Sequence, residues 1–345
     1  MHTFYHPGHL RHDPASQAHA NNLDPATQLD KGQRGQIIQD ALIAAGLDAI
    51  TAPGNFGSEP IEVIHDYGML NLLQDGYERI RTETAQSVAL PNTFCNGFTP
   101  NHKTRSIRGQ LGYYCFDQAS PLLADTWDAA YWSAQTAVSA AALIAAGGQR
   151  IAYALCRPPG HHAGPGSYGG RSYLNNIAIA ANWLVQQGHR VAILDLDYHH
   201  GNGTQAVFYG RSDVLVCSIH TDPFYDYPYY WGYADEFGVG SGRHYNFNFP
   251  LPRGTQETAY LETLNAALIK IRLYVPDVLL VSLGTNIVAG DPGGSFRLTT
   301  ESLGRIGARL AETGLPLVVV QEGGYNLSAL GEQVVTFFDG LLGAV

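Results

Sequence analysis

The chain has 345 residues, of which 45% are hydrophobic and only 14% charged, which excludes a disordered chain or a long coiled coil and allows a large buried core. Its formal charge is −10, and lysine occurs only at Lys31, Lys103 and Lys270, so no basic stripe can neutralise a phosphate backbone and nucleic acid is excluded as a partner class. No apolar run approaches the roughly 20 residues that cross a bilayer, and the opening Met-His-Thr-Phe-Tyr-His lacks the basic-then-apolar order of a secretion signal, so a soluble cytoplasmic protein with no membrane partner is expected.

The first 35 residues are polar, rich in histidine and weakly periodic, which predicts a surface loop or irregular lead-in. Helical spacing covers about Gly35 to Ala45, and Pro60 to Arg81 reads as further helix. From Thr82 to about Gln110 no period emerges, and a loop of that length is usually functional or lies at an interface. An Ala-rich helix is predicted from Thr126 to Ala146, ahead of the strand-like run Ile151 to Cys156. Strands are then expected at Val191–Leu194, Val214–Cys217, Val278–Leu283 and Leu317–Val320. Helices at Leu174–Gln187, Glu257–Leu273, Glu301–Thr313 and Leu327–Leu342 alternate with them. Short apolar runs without polar alternation suit a parallel sheet buried on both faces. Neither a repeat nor a linker is evident, so residues 1–345 read as one domain. Cys95, Cys115, Cys156 and Cys217 form no CxxC pair; Cys156 and Cys217 interrupt apolar runs as small buried thiols, and no disulfide is expected.

Ligands of open α/β sheets bind beyond the carboxyl ends of the strands, and those ends are rich in polar residues here. They read Arg157-Pro-Pro-Gly-His161-His162, Asp195-Leu-Asp197-Tyr-His199-His200-Gly-Asn202, Ser218-Ile219-His220, Gly284-Thr-Asn286 and Gln321-Glu-Gly-Gly-Tyr325. Asp195, Asp197 and His199 alternate, so in extended chain they share one face, where oxygen and imidazole donors can reach one cation; the competing reading is a solvated turn that caps the next helix. His161 and His162 are two imidazoles displayed on a Pro-Pro-Gly turn, or else surface decoration. Tyr325 offers a phenol donor to a bound carbonyl, or is an ordinary half-buried tyrosine.

Together Arg157-Pro-Pro-Gly-His-His-Ala163, Asp195-Leu-Asp-Tyr-His-His-Gly-Asn-Gly-Thr204, Gly290-Asp-Pro292 and Glu322-Gly-Gly-Tyr325 resemble the histone deacetylase superfamily, in particular its bacterial acetylpolyamine amidohydrolase branch. The resemblance covers about residues 105 to 326. It implies an α/β arginase-deacetylase fold, with one domain around a largely parallel eight-stranded sheet flanked by helices. It also implies one zinc ion at the base of a tunnel and a homodimer whose interface loop, here residues 82–110, narrows that tunnel. Asp197 and His199 then match two zinc ligands. His162, oriented by Asn202, matches the general base and acid, His161 pairs with Asp195, and Tyr325 polarises the amide carbonyl. The carbonyls of Asp195, Asp197, His199 and Ile219, with Ser218, match a monovalent-cation site, K+ being the candidate. The implied reaction is metal-assisted hydrolysis of a small N-acyl substrate.

The sequence departs from that pattern at three places. Asn286 stands where the family has its third ligand, an aspartate, so zinc affinity is expected to fall. Arg171 follows Gly169-Gly170 where an aromatic wall residue belongs, and Arg108 falls at the position of the acidic residue that meets a polyamine. Gly170 and Tyr229 join these two arginines as candidate substrate residues. Each arginine either contacts substrate or pairs with a carboxylate such as Asp222 or Glu236. The added positive charge predicts a substrate bearing a carboxylate. Asn286 equally suits a catalytically impaired relative that only binds small molecules. A binuclear manganese hydrolase of the arginase type ranks lower, because no further bridging aspartate follows Asn286 beyond Asp291.

Overall fold

The computed structural model describes residues 1–16, 28–84, 86–95 and 102–343. Its strands are β1 (His2–Phe4), β2 (Ile50–Thr51), β3 (Ile151–Ala154), β4 (Val191–Asp195), β5 (Val214–Thr221), β6 (Asn246–Leu251), β7 (Val278–Leu283) and β8 (Leu317–Gln321). They form one parallel sheet in the order β2-β1-β3-β8-β7-β4-β5-β6. The helices among the described residues are α1 (Gln33–Ala44), α2 (Glu59–Glu62), α3 (Tyr67–Thr84), α4 (Ile107–Tyr114), α5 (Thr126–Ala145), α6 (Asn176–Gln186), α7 (Asn202–Phe208), α8 (Glu257–Tyr274), α9 (Thr300–Ala311) and α10 (Leu330–Gly343).

Every residue of β3, β4, β5, β7 and β8 is buried, because successive side chains enter two different cores. Ile193, Val216, Leu280 and Val320 pack with α3 to α6, while Leu194, Cys217, Val281 and Val319 pack with α1 and α8 to α10. Helices on both faces explain the unbroken apolar runs of these strands. From β4 the chain moves outward through α7 to β5 and β6, whereas from β7 it moves the other way to β8. The connections therefore diverge between the neighbours β4 and β7, and the crevice at that divergence is where such sheets bind ligands.

The structure corrects several sequence expectations. The polar lead-in contains β1, which lies between β2 and β3. The helix expected from Pro60 to Arg81 is two, α2 and α3, separated at residues 63–66. Edge strand β6, with its Asn-Phe-Asn-Phe alternation and a proline, is absent from the reading, as are β2 and α7. The loop expected over residues 82–110 holds the end of α3 and the start of α4; its residues 85 and 96–101 lie outside the described ones. No helix among the described residues is long and apolar enough to cross a membrane.

One buried ionic cluster joins distant parts of the chain. Asp30 Oδ1 accepts from Arg34 Nη1 at 2.6 Å and Arg157 Nε at 3.0 Å, and all three side chains are buried. Arg34 also donates to the carbonyls of Glu322 and Gly324, and Arg157 to those of His9 and Asp30. Burial raises the Asp30 pKa, but the attraction of Arg157 and then Arg34 outweighs it and holds the carboxyl below its ordinary value. Asp30→Asn should cost about 3–5 kcal/mol, since it leaves two buried guanidinium charges without a counter-charge. Equilibrium urea denaturation checks this; a loss below 1 kcal/mol would show that the cluster does not hold the fold.

Candidate functional site

Residues from five strand ends meet through hydrogen bonds, which fix the histidines in different states. His161 Nδ1 donates to Asp195 Oδ2 at 2.9 Å, and its Nε2 lies 4.0 Å from Asp197 Oδ1. Burial lowers the His161 pKa, but Asp195, Asp197 and Glu322 together push it to about 10, so it is an imidazolium. His162 Nδ1 donates to Asn202 Oδ1 at 2.7 Å. Burial and the neighbouring His161 and His199 hold His162 well below its ordinary value. It is therefore neutral, with Nε2 left as the acceptor. Adjacent histidines, 4.0 Å apart by ring centroid, thus divide into a cation and a base.

Asp197 is buried where β4 and β7 diverge. Its Oδ1 accepts from the His199 backbone N–H at 2.9 Å and from Asn286 Nδ2 at 2.8 Å, and its Oδ2 accepts from the Gly323 N–H at 2.8 Å. Asn286 Oδ1 in turn accepts from the Tyr198 N–H at 3.1 Å. These two partners fix the amide orientation: a flipped amide would set oxygen against the Asp197 carboxylate and N–H against N–H. Gly284 and Gly323 close around the pair, since a Cβ at either would fall within 2.4 Å of Asp197 Oδ2.

That arrangement bears directly on a metal. Asp197 and His199 retain donor atoms, but Asn286 presents an N–H where a cation needs a lone pair, so the three do not fit a divalent ion as arranged. Among the described residues no three His, Cys, Asp or Glu side chains gather as a metal site. Asn286, expected as a weak third contact, hydrogen-bonds Asp197 through its amide N–H. Asp291, the remaining candidate for a bridging carboxylate, is a loop clamp: Oδ2 accepts from the N–H groups of Tyr325 and Asn326, and Oδ1 from Gly293.

The clamp holds the backbone of Tyr325, whose ring is flanked by the guanidinium groups of Arg34 at 4.8 Å and Arg171 at 5.2 Å. Burial pushes the phenol up to about 12 against the pull of both arginines, so it keeps its proton. His199, Gly170, Arg171, Tyr227 and Tyr229 line a cavity of about 620 Å³. Arg108 is not on this lining: it is exposed on α4. Asp195 and Ser218 stand in register on β4 and β5, and Ser218 Oγ hydrogen-bonds His220 Nδ1 at 2.7 Å.

Sequence reasoning missed Glu322, Asp117 and the Asp30–Arg34 pair. Glu322 Oε2 accepts from the N–H groups of Gly160 at 2.7 Å and His161 at 3.2 Å, and its Oε1 from Ser282 Oγ at 3.2 Å. Its place inside the Glu-Gly-Gly-Tyr string was a usable signal. The i, i+4 spacing of Asp30 and Arg34 was another, but a surface helix carries the same spacing.

Comparison with known proteins gives the family. The histone deacetylase domain matches residues 28–341. Acetylpolyamine amidohydrolase 1 of Pseudomonas aeruginosa is 40% identical over 352 residues, covering 100% of this chain and 99% of that protein. The acetylpolyamine amidohydrolase of Burkholderia pseudomallei is 39% identical, covering 99% and 98%. A solved structure of acetylpolyamine aminohydrolase from Burkholderia pseudomallei superposes with a TM-score of 0.92 at 37% identity, covering 100% of this chain and 99% of that one. The HDA15 HD domain shares the fold alone, with a TM-score of 0.81 at 24% identity. The chain belongs to the histone deacetylase family.

Burial raises the Glu322 carboxyl to about 7, with the His161 imidazolium opposing and Asp195 assisting. Its folded pKa lies above the unfolded value of 4.5, so the folded state binds the extra proton and Glu322 costs stability as pH rises from about 5 to 8. Glu322→Gln should remove that slope, worth on the order of 3 kcal/mol across the window. Denaturation at pH 5 and pH 8 measures it, and equal slopes in both proteins would rule out a neutral buried Glu322.

Proposed function

We propose that this protein is an amidohydrolase acting on small N-acyl compounds. One observation carries the reading: the His162–Asn202 and His161–Asp195 pairs adjoin a cavity through His199, whose ring is 5.9 Å from that of His162, and Tyr325 adjoins the same cavity through Arg171. Full-length similarity to proteins named acetylpolyamine amidohydrolases supports it. In this reading the substrate enters past Tyr229 and Gly170. The Tyr325 phenol donates to the amide oxygen, neutral His162 takes a proton from water through Nε2, and the same imidazole returns it to the departing amine. His161, already protonated, holds the Asp195 side and keeps charge near its partner.

Zinc and potassium belong to the family resemblance. Asp197 and His199 are the side chains left to hold zinc, and Asn286 does not complete the set; backbone carbonyls of Asp195, Asp197, His199 and Ile219, with Ser218, are the group proposed for potassium. The Asn286–Asp197 hydrogen bond favours a second reading, in which the protein binds N-acyl compounds without turning them over. Hydrolysis of N-acetyl-lysine and other N-acetyl amines, followed in the wild type and in Asn286→Asp, separates the two. We expect slow hydrolysis by the wild type and faster hydrolysis by the variant. Binding without turnover in both supports the second reading.

Asn286→Asp should also bind zinc at least 100-fold more tightly by titration calorimetry, because it replaces a neutral N–H donor with a carboxylate. Without zinc the variant should be less stable than the wild type, as two buried carboxylates then face each other. Unchanged zinc affinity would remove the metal from this site. Tyr325→Phe and His162→Ala should each lower kcat by about two to four orders of magnitude, measured with the same substrates. Full turnover in both variants would remove these residues from the reaction.

A further inference from the structure

A second cavity, of about 680 Å³, lies between α4, α7 and the segment that joins β5 to β6. It has the size of a small-ligand site. Among the described residues its lining shares none with the cavity at His199, yet two contacts connect the walls of the two. Asn202, on the second lining, accepts from His162, and Phe116 stacks on Tyr227 with ring centroids 6.4 Å apart.

The two cavities differ in charge. Asp117, Arg171, Asp226 and Arg253 line the one at His199, so acids and bases are matched there. The second has Glu236 and, among its described residues, no lysine, arginine or histidine. Glu236 Oε2 accepts from Gln205 Nε2 at 2.6 Å, from the Gly232 N–H at 2.9 Å and from Asn248 Nδ2 at 3.3 Å. Its Oε1 accepts from no described residue and is not sealed in the interior, so it is the open acceptor of this lining. Much of the remaining wall is aromatic. Lys103 Nζ already lies 5.8 and 5.6 Å from the ring centroids of Tyr113 and Tyr114, and it pairs with Asp66 at 3.4 Å. Phe116, Tyr209 and Trp231 line the same cavity, and no described cation stands over their faces.

We propose that this second cavity binds a small organic cation, an ammonium group on an apolar body, with the ammonium at Glu236 Oε1 and the body against Trp231 and Tyr209. An ammonium N–H donates to a carboxylate oxygen in a charge-assisted hydrogen bond. The faces of tryptophan and tyrosine attract the same charge, tryptophan most strongly. A neutral compound of equal shape gains the apolar contact alone. An anion meets Glu236 with no described counter-charge on the lining, and a half-enclosed wall screens that repulsion less than water does. The site is separate from the one that holds His162 and His199, so it needs neither turnover nor a metal.

Calorimetric titration of the whole chain with 2-phenylethylammonium, neutral 2-phenylethanol and anionic 3-phenylpropanoate tests this in the wild type, Glu236→Gln and Ala206→Phe. The wild type should bind the ammonium at least tenfold more tightly than either other compound. Glu236→Gln keeps an acceptor for Gln205 and Gly232; it should erase that margin and leave 2-phenylethanol binding unchanged, which also reports an intact cavity. Ala206 lies exposed on α7 at the cavity lining. Ala206→Phe fills the space without removing a charge and should weaken ammonium binding at least tenfold. Equal or tighter binding of the alcohol or the carboxylate by the wild type overturns the proposal, as does an undiminished margin in Glu236→Gln. Ammonium binding that Ala206→Phe leaves unchanged lies outside this cavity and overturns it too, and so does the absence of ammonium binding. None of these outcomes bears on the N-acyl reading, which concerns the other cavity.

Discussion

Asp30 is the charge on which the site depends, although no substrate reaches it. Its carboxylate neutralises Arg34 and Arg157, which grip opposite walls of the crevice. Arg157 begins the Pro-Pro-Gly turn that leads to His161 and His162, and Arg34 holds the carbonyls of Glu322 and Gly324 just before Tyr325. One buried triad therefore sets the distance between the base and the phenol. Two guanidinium groups at this depth are tolerable only because each has further carbonyl acceptors, the condition under which a buried ionic cluster repays its desolvation.

A different solution operates at Asp197. A buried carboxylate needs either a cation or several donors, and here three N–H groups suffice. The Asn286 amide is suited to this because its oxygen simultaneously satisfies the Tyr198 N–H. The His161 imidazolium balances one of the two aspartates, and the charge that remains on Asp197 is solvated by these N–H groups.

The central sheet was legible because β4, β5, β7 and β8 are apolar enough to announce burial on both faces. β1 and β2 are two or three residues long and acquire strand character only from the neighbours they pair with. β6 alternates polar and aromatic residues, as an edge does, and so carries a weaker signal. The strand-end residues could be assigned to one site from their succession alone. Long-range choices of partner could not be read this way: the rotation of Asn286 is decided by a backbone N–H 88 positions away, and the position of Arg108 by the path of α4.

The divergence between β4 and β7 also orders events during synthesis. β4 can pair with β5 soon after both emerge, but β7 follows β4 by roughly 4–16 s at about 5–20 residues per second. During that interval Asp195 and Asp197 stay in water, with no desolvation to offset. When β7 docks it brings Asn286, whose amide meets the Asp197 carboxylate directly. The chain itself thus supplies the donor that meets this carboxylate, in the order in which its strands are made.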